Sequence, residues 1–415
     1  MNVYDEMNNL CKAIKESHEY KVLVEAKGKL ATDSSAESMV KDFLKQKQEL
    51  EIAQYQGQKP DDAKVKKMQD LVQCAAAEPG GRGIHPGLYP VPDDVRGSVQ
   101  DPQRYLKGSH GLMTMSGLLS FLEERLPGKF QINAPMERYT TFRVGGPADL
   151  LVEPETREEV CSLLREIHTQ QVPLTVIGNG SNLLVLDKGI RGCVVKLGSC
   201  LKQLTIQGCT IRVEAGVLLS RLASAAAEGG LAGLEFASGI PGSLGGAILM
   251  NAGAYGGEIG NLVRSVTVAD GGGELRTLNR EEMEFRYRHS AVMDSGDIIL
   301  GATLELTRDD PDAIRERISE LTRKRVSKQP LNFPSAGSTF KRPPGYFAAA
   351  LIDQAGLRGY RVGDAQVSEK HTGFVVNRGH ATASEILQLM DDVREKVHAM
   401  SGVWLEPEVR IIGEK

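Results

Sequence analysis

Apolar residues recur at helical spacing near the start of the chain, at Val3, Met7, Leu10 and Ile14, and predict an amphipathic helix. A second helix is predicted from the capping pattern Ser34-x-x-Glu37 through Met39, Val40, Phe43 and Leu50. A third follows Pro60 and Asp61, with Val65, Met68 and Leu71 on one face. Three helices of this length bury little apolar surface by themselves, so residues 1–74 are expected to form a small bundle that docks or self-associates.

From Ala75 to about 115 the pattern breaks down. The run EPGGRGIHPGLYPVPDD lets neither a helix nor a strand develop and reads as a linker. An amphipathic helix over 117–126 follows. Short Val/Ile/Leu-rich strands are then expected at 174–177, 193–197 and 298–304, between Gly loops and helices such as 157–169. The last hundred residues predict a helix over 311–325, with Pro311 tolerated in its first turn, and a Gly/Pro loop over 330–345. A helix over 384–400 and a closing strand over 408–412 complete the pattern. The whole is a mixed α and β chain without a fixed-period repeat.

Composition narrows the function classes. Hydrophobic residues make up 41% and charged residues 25% of the 415 positions, which excludes a wholly disordered or fibrous chain. A net charge of -4 provides no global basic field for nucleic acid or an acidic membrane. No apolar run reaches the roughly 18 residues of a membrane span, and MNVYDEMNNL has neither a basic nor an apolar leader segment, so a cytoplasmic protein is expected. The six cysteines show no Cys-x-x-Cys pair and no zinc spacing, and are expected to be reduced structural thiols.

Glycine, at 45 residues, exceeds the usual share of about 7% and clusters in loops. The sharpest is Gly178-Asn179-Gly180-Ser181-Asn182, directly after the apolar run 174–177. A Gly-rich turn at a strand end lets successive N–H groups converge on an anion. A tight strand connection is the equally good alternative for one such loop, and neither a dinucleotide fingerprint nor a P-loop is present. A second stretch runs through Gly239, Pro241, Gly242, Ser243, Gly245 and Gly246 to Ala252 and Gly253, and a third holds Tyr139 and Arg143 before Gly145 and Gly146. Three separated stretches fit one large cofactor better than three unrelated turns.

These segments resemble the MurB family, the UDP-N-acetylenolpyruvoylglucosamine reductases, from about Phe130 to the C-terminus. The motifs are NAPMERYTTFRVGGPADL, GNGSNLLVLDKGIRG, GIPGSLGGAILMNAGAYGGEI, FRYRHS, AGSTFKRP and WLEPEVRIIG, in that order. The resemblance implies an α+β protein: a two-lobed FAD-binding module of the vanillyl-alcohol-oxidase (PCMH) type over 116–308, then a substrate domain over 309–415 whose last strand returns to the active site. It implies non-covalent FAD, NADPH as co-substrate and a UDP-sugar substrate. The region after Tyr287 carries no inserted tyrosine loop, so the chain resembles the shorter subtype.

Reducing an enol ether beside a carboxylate needs a hydride at the terminal vinyl carbon, charge stabilisation on the enolate and a proton donor at the neighbouring carbon. By resemblance the donor is Ser338, whose departing proton Lys341 or Arg342 could offset; an ordinary loop serine is the alternative. Arg288 matches the family's active-site arginine, and its donor fork suits a carboxylate becoming an enolate. Arg286, one residue beyond Tyr287, is expected to share its strand face, and an exposed salt bridge is the alternative for either. Glu408 matches the catalytic glutamate, and strand alternation would put Glu406 on the same face. Arg325, Lys328 and Lys341 are candidates for the substrate; Arg325 and Lys328 would serve its diphosphate, or form a solvated basic helix end. His289 and His371 are expected to be polar surface or hydrogen-bonding histidines rather than flavin attachment sites, and no metal site is expected.

Residues 1–73 also resemble the YlbF/YmcA-like helical proteins, through VYDEMNNLCKAIKESHEYK and QYQGQKPD. Relatives of that kind are regulatory partners, which leaves a protein partner or self-association as the expectation for the head. Two other readings stay open: a regulatory scaffold whose reductase body has lost activity, and an FAD oxidase of the same superfamily. Intact Ser338, Arg288 and Glu408 positions oppose the first, and the joint presence of AGSTF and LEPEV opposes the second.

Overall fold

The structure, a computed structural model, describes residues 115–199 and 201–414. The helices expected within 1–74, and the 75–115 linker apart from its last residue, lie outside the described residues.

The first lobe contains, in chain order, α1 (Ser116–Arg125), β1 (Phe130–Pro135), β2 (Pro147–Val152), α2 (Arg157–Thr169), β3 (Leu174–Ile177), β4 (Leu183–Val185) and β5 (Ile190–Lys196). Four of the strands form a sheet in the order β1-β2-β5-β3, with β1 antiparallel to β2 and the other pairs parallel. Parallel strands covered on both faces read as continuous apolar runs, and β2 shows why. Leu150 and Val152 enter a core with Leu118 and Leu122 of α1 and Val160, Leu163, Leu164 and Ile167 of α2, while Ala148 and Leu151 enter a second core with Met136, Ile177 and Val194. Helix α2 starts where the Thr156 hydroxyl accepts the Glu159 amide at 3.1 Å, and two glutamates in its first turn complement the helix dipole.

The second lobe follows with β6 (Leu204–Gln207), β7 (Thr210–Glu214), α3 (Leu219–Glu228), α4 (Leu244–Leu249), β8 (Val263–Ala269), β9 (Leu275–Asn279), α5 (Ala291–Ser295) and β10 (Ile298–Glu305). Its antiparallel sheet runs β9-β8-β10-β7-β6, and one face buries Val213, Val266 and Leu304 against Leu222, Ala226, Leu244 and Ile248 of the two helices.

The third part holds α6 (Pro311–Lys328), α7 (Ala348–Gln354), a small antiparallel sheet of β11 (Arg361–Val362), β12 (Ala365–Val367) and β13 (Val375–Asn377), then α8 (Ala383–Ser401) and β14 (Arg410–Ile412). A capping box between Thr382 and Glu385 opens α8, and Gly402 at φ 72° closes it. The face between carries Ile386, Leu389, Met390, Val393 and Val397 into a core that also takes Phe142, Val144, Leu184 and Leu186 from the first lobe. Strand β14 then pairs parallel with β4, so the C-terminal segment returns to the cofactor lobe.

Three sequence expectations need correction. Helix α6 runs to Lys328 rather than 325, because no backbone restriction appears until Pro330, so Arg325 and Lys328 lie one turn apart in its last turn, where the helix meets the Pro-bounded loop as expected. The closing strand begins at Arg410 rather than 408, because the Glu408 amide is spent on the Thr339 carbonyl at 2.8 Å and pairing with β4 starts only at Arg410. Glu406 and Glu408 therefore do not share a face: the Glu406 side chain is 75% exposed and that of Glu408 is 12% exposed. The expected helix 157–169 and strand 174–177 coincide with those observed, the helices expected at 117–126 and 384–400 differ by one residue at each end, and the strand expected at 193–197 runs from Ile190 to Lys196.

Candidate active site

The FRYRHS segment folds as a tight turn, not a strand. The Arg286 amide bonds to the His289 carbonyl and the His289 amide to the Arg286 carbonyl, both at 3.1 Å, leaving Tyr287 and Arg288 at the corner. Arg288 adopts φ 55°, a conformation costly for a side chain other than glycine, and this points it away from Arg286. Arg286 stays in solvent, 63% exposed beside Glu284, so the expectation of a shared face fails. The turn is held from below by Asn251, which is 2% exposed. Its Nδ2 donates to the Arg286 carbonyl at 3.0 Å and to Glu258, and its Oδ1 accepts the Gly260 amide.

Arg288 Nε donates to Glu408 Oε1 at 2.8 Å and Nη2 donates to the Gly253 carbonyl at 3.2 Å. Burial pushes the Glu408 carboxyl above its ordinary range, and the positive charges of Arg288 and Lys341 only partly offset it. Glu408 is therefore an ion-paired acid that still holds a proton more readily than a surface glutamate. Lys341 forms its ion pair with Glu406 at 3.3 Å, at the solvent edge.

Ser338 is an exposed residue whose hydroxyl bonds to none of the described residues, and its chain neighbour is the anchor. Thr339 is 3% exposed; its amide donates to the Gly373 carbonyl, its hydroxyl accepts the Val375 amide, and its carbonyl accepts the Glu408 amide. Tyr287 adds a further tie, since its hydroxyl accepts the Arg342 amide at 3.1 Å. The structure thus brings the segments of Arg288, Ser338 and Glu408 together. Asn251 and Thr339, which do this, went unassigned in the sequence; the available signal was a polar residue inside each motif.

The Gly-rich loops converge beside this cluster. The Thr141 amide reaches the Gly180 carbonyl at 3.1 Å, Asn179 Nδ2 the Pro241 carbonyl at 2.6 Å, and Asn182 Nδ2 the Glu408 carbonyl at 3.0 Å. The backbone N–H groups of residues 179–182 donate to none of the described residues, which leaves four donors on one turn. That donor set fits a pyrophosphate.

Several of these glycines are packed against protein atoms. A Cβ on Gly180, at φ 65°, would lie 2.0 Å from the Tyr139 carbonyl, and one on Gly178 would lie 2.4 Å from Ser243 Oγ. Gly239 is pressed by Arg325, and the Gly245 amide is taken by the Ala215 carbonyl at 2.9 Å. Gly246, by contrast, opens onto space with no atom within 4 Å. A Cβ on Gly242 would lie 3.4 Å from Ser181 Oγ, Ala252 bonds through its amide to the Ala247 carbonyl, and Gly253 supplies the carbonyl that Arg288 uses.

Tyr139 and Arg143 are the remaining cofactor candidates. The Tyr139 hydroxyl donates to Gln131 at 3.0 Å and its ring lies under the Lys196 ammonium. Arg143, at φ 54°, faces a groove of about 690 Å³ that Arg138, Asp187 and His380 also line. On α6, Arg325 is largely desolvated, which lowers its pKa against the favourable effect of its hydrogen bond with Tyr255, while Lys328 is exposed. Among the described residues Cys161, Cys193 and Cys209 are free thiols, burial pushing Cys193 up to about 12, and no metal-binding group of His, Cys, Asp and Glu is present.

Comparison with known proteins adds independent information. The family model of the UDP-N-acetylenolpyruvoylglucosamine reductase C-terminal domain matches residues 329–412, that of an FAD binding domain matches 148–279, and that of the control of competence regulator ComK, YlbF/YmcA, matches 3–79. A UDP-N-acetylenolpyruvoylglucosamine reductase of Agathobacter rectalis is 52% identical over 305 residues, which cover 70% of this chain and 96% of that protein. One from Caldanaerobacter subterraneus subsp. tengcongensis is 48% identical over 288 residues, 69% of this chain and 95% of its own length. The crystal structure of UDP-N-acetylenolpyruvylglucosamine reductase from Thermus caldophilus superposes with a TM-score of 0.59 at 38% identity, covering 68% of this chain and 97% of that one.

Proposed function

This chain belongs to the UDP-N-acetylenolpyruvoylglucosamine reductase family, and from that premise we propose how its own residues carry the reaction. The protein is an NADPH-dependent flavoenzyme that reduces UDP-N-acetyl-3-O-(1-carboxyvinyl)-glucosamine to UDP-N-acetylmuramate in peptidoglycan precursor synthesis. The amides of residues 179–182 and the open side of Gly246 would hold the FAD pyrophosphate. FAD held there would supply the hydride, drawn from NADPH, that the terminal vinyl carbon receives.

The single observation that carries the residue assignment is the largely buried Arg288–Glu408 pair, fixed to the same Thr339 segment that presents Ser338. As the hydride arrives, the vinyl electron pair moves towards the carboxylate and an enolate forms. Arg288 has committed Nε to Glu408 and one Nη2 proton to Gly253, so Nη1 remains to hold that carboxylate. Glu408, its proton affinity raised by burial, stabilises the second enolate oxygen as a donor. The Ser338 Oγ–H bond then breaks and its proton forms the new C–H bond at the carbon bearing the ether oxygen. The cationic field of Lys341 offsets the alkoxide left behind, which solvent reprotonates.

Arg325 and Lys328, one turn apart on α6, are proposed to face the substrate diphosphate; desolvation of Arg325 beside Gly239 supports this. The division into a helical head over 1–74, a linker over 75–115, a two-lobed FAD domain over 116–308 and a substrate domain over 309–415 is supported by the family matches. Among the described residues no helix is long and apolar enough to cross a membrane. A cytoplasmic location, and a protein partner or self-association through the head, are parts of the same proposal.

The test is steady-state NADPH oxidation by the yellow purified protein with and without the enolpyruvyl nucleotide. Turnover that depends on the nucleotide and yields UDP-N-acetylmuramate supports the reading; oxidation that runs equally fast on oxygen alone would make the protein an oxidase.

A further inference from the structure

Behind the Ser338 segment lies a histidine that the mechanism does not use. Residues 368–374 form a compact turn: the Lys370 and His371 amides donate to Ser368 Oγ at 3.1 and 3.2 Å, and the Phe374 amide donates to the His371 carbonyl at 3.0 Å. Within it the Gly373 amide donates to His371 Nδ1 at 3.2 Å. The imidazole packs edge-on against Phe374, with ring centroids 5.0 Å apart. A Cβ on Gly373 would meet His371 Cε1 at 3.1 Å and Ala349 Cβ at 3.3 Å, so ring and peptide are in direct contact.

The other side of Gly373 reaches the active site. Its carbonyl accepts the Thr339 amide at 2.9 Å, and Thr339 in turn receives the amides of Val375 and Glu408. His371 is thus two hydrogen bonds away from the residue next to Ser338, through one glycine whose two peptides can each rotate.

We propose that His371 is a positioning residue for Ser338: as a neutral imidazole it accepts the Gly373 N–H and keeps the Gly373 carbonyl aimed at Thr339, and protonation of Nδ1 releases that hold. Only a ring protonated at Nε2 and bare at Nδ1 can accept this bond, and the doubly protonated ring cannot. Burial disfavours the cation and outweighs a hydrogen bond to the residue's own backbone that favours it; Arg358 after α7 and Lys328 at the end of α6 add repulsion, so the pKa of His371 is lowered.

The neighbouring charges are otherwise engaged. Arg358 is paired with Asp353 of α7, the Lys370 ammonium of the same turn donates to the Val326 carbonyl at 2.6 Å, and Glu369 receives Gln366 at 3.4 Å. No carboxylate among the described residues is paired with the His371 ring. The pairing of α6 with this turn through Lys370 also places Lys328 where it can bias the imidazole.

The inference rests on the assignment of Ser338 as proton donor, and the experiment separates the two. In the full-length FAD-loaded protein, flavin reoxidation by the enolpyruvyl nucleotide is followed by stopped flow between about pH 5 and pH 8. Reduction by NADPH is the control, and His371→Asn and His371→Phe are compared with wild type. Asparagine places an acceptor near Nδ1 but does not titrate; phenylalanine keeps the packing and offers no acceptor.

Wild-type reoxidation is expected to fall about tenfold per pH unit below an imidazole pKa under the usual ~6.5. The Asn variant keeps the rate at the alkaline end within about threefold and loses that acid limb, and the Phe variant is slower by about tenfold or more throughout. Nitrogen NMR of the wild-type ring, independent of turnover, is expected to show Nε2 protonated and Nδ1 bare near neutral pH. An Asn variant that keeps the acid limb, a Phe variant as fast as wild type, or a protonated Nδ1 at neutral pH each overturns the proposal. If Ser338→Ala reoxidises as fast as wild type, the donor assignment itself falls.

Discussion

Arg288 and Glu408, separated by 120 positions in the chain, meet side chain to side chain at 2.8 Å with only 16% and 12% of their side chains exposed. Burying such a pair is costly in desolvation, and the geometry repays it only while both partners are present. The arginine fork is oriented by the carboxylate, and the carboxylate remains protonatable because it is buried. One contact therefore sets both the direction of the guanidinium fork and the burial of the carboxyl, as the roles proposed for them require.

Replacing Arg288 with Ala should slow reduction of the enolpyruvyl nucleotide by about a hundredfold or more, the usual effect of losing a donor to a developing oxyanion. It should also destabilise the fold by about 3 kcal/mol near neutral pH, because a buried carboxylate is left without its partner. The pH dependence follows from the raised Glu408 pKa, raised further in the variant. A carboxyl whose folded pKa exceeds its unfolded value favours the folded state when protonated, and that contribution is lost as pH rises through the folded pKa. The penalty should therefore shrink in acid and be largest above neutrality, as urea unfolding at several pH values would show.

Ser338→Ala should leave flavin reduction by NADPH nearly intact and slow reoxidation by the nucleotide by about a hundredfold or more, since the role proposed for Ser338 is confined to proton transfer. Stopped-flow traces in which both half-reactions suffer equally would remove it from that role.

Gly180 and Gly246 separate packing from ligand contact. Gly180→Ala, at φ 65° with a Cβ 2.0 Å from the Tyr139 carbonyl, should destabilise the protein by about 1–3 kcal/mol with or without flavin. Gly246→Ala meets no protein atom within 4 Å and sits in α4, so the flavin-free fold should be unchanged or slightly firmer. If that space belongs to FAD, affinity should fall by at least about tenfold, about 1.4 kcal/mol. Calorimetry on stripped and reloaded protein reads both quantities.

FAD should be released when the protein is denatured, because the site offers backbone donors and His289 and His371 both have protein partners. Flavin that precipitates with the polypeptide would contradict non-covalent binding.

Deleting residues 1–110 should leave a folded, FAD-loaded enzyme with similar turnover per flavin, since every residue given a chemical role lies after Phe130. A smaller species on size exclusion with unchanged turnover would place self-association in the head. A soluble, flavin-loaded and inactive truncation would instead make the head part of the active site.

Much of this protein is determined by local sequence. Thr156 with Glu158 and Glu159, and Thr382 with Glu385, set helix starts through contacts a few residues apart, and the Val/Ile/Leu-rich runs 174–177 and 298–304 declare strands by composition. Motif order alone identified the family and selected Glu408 over Glu406. The register and orientation at the site were decided elsewhere. Periodicity placed Arg286 with Arg288 and Glu406 with Glu408, but a two-residue turn held by Asn251 separates the first pair, and the claim of Thr339 on the Glu408 amide separates the second. Helix and strand periods describe what a segment does when its own backbone bonds decide its shape. At the active site those bonds go to distant partners, and only the folded chain specifies which.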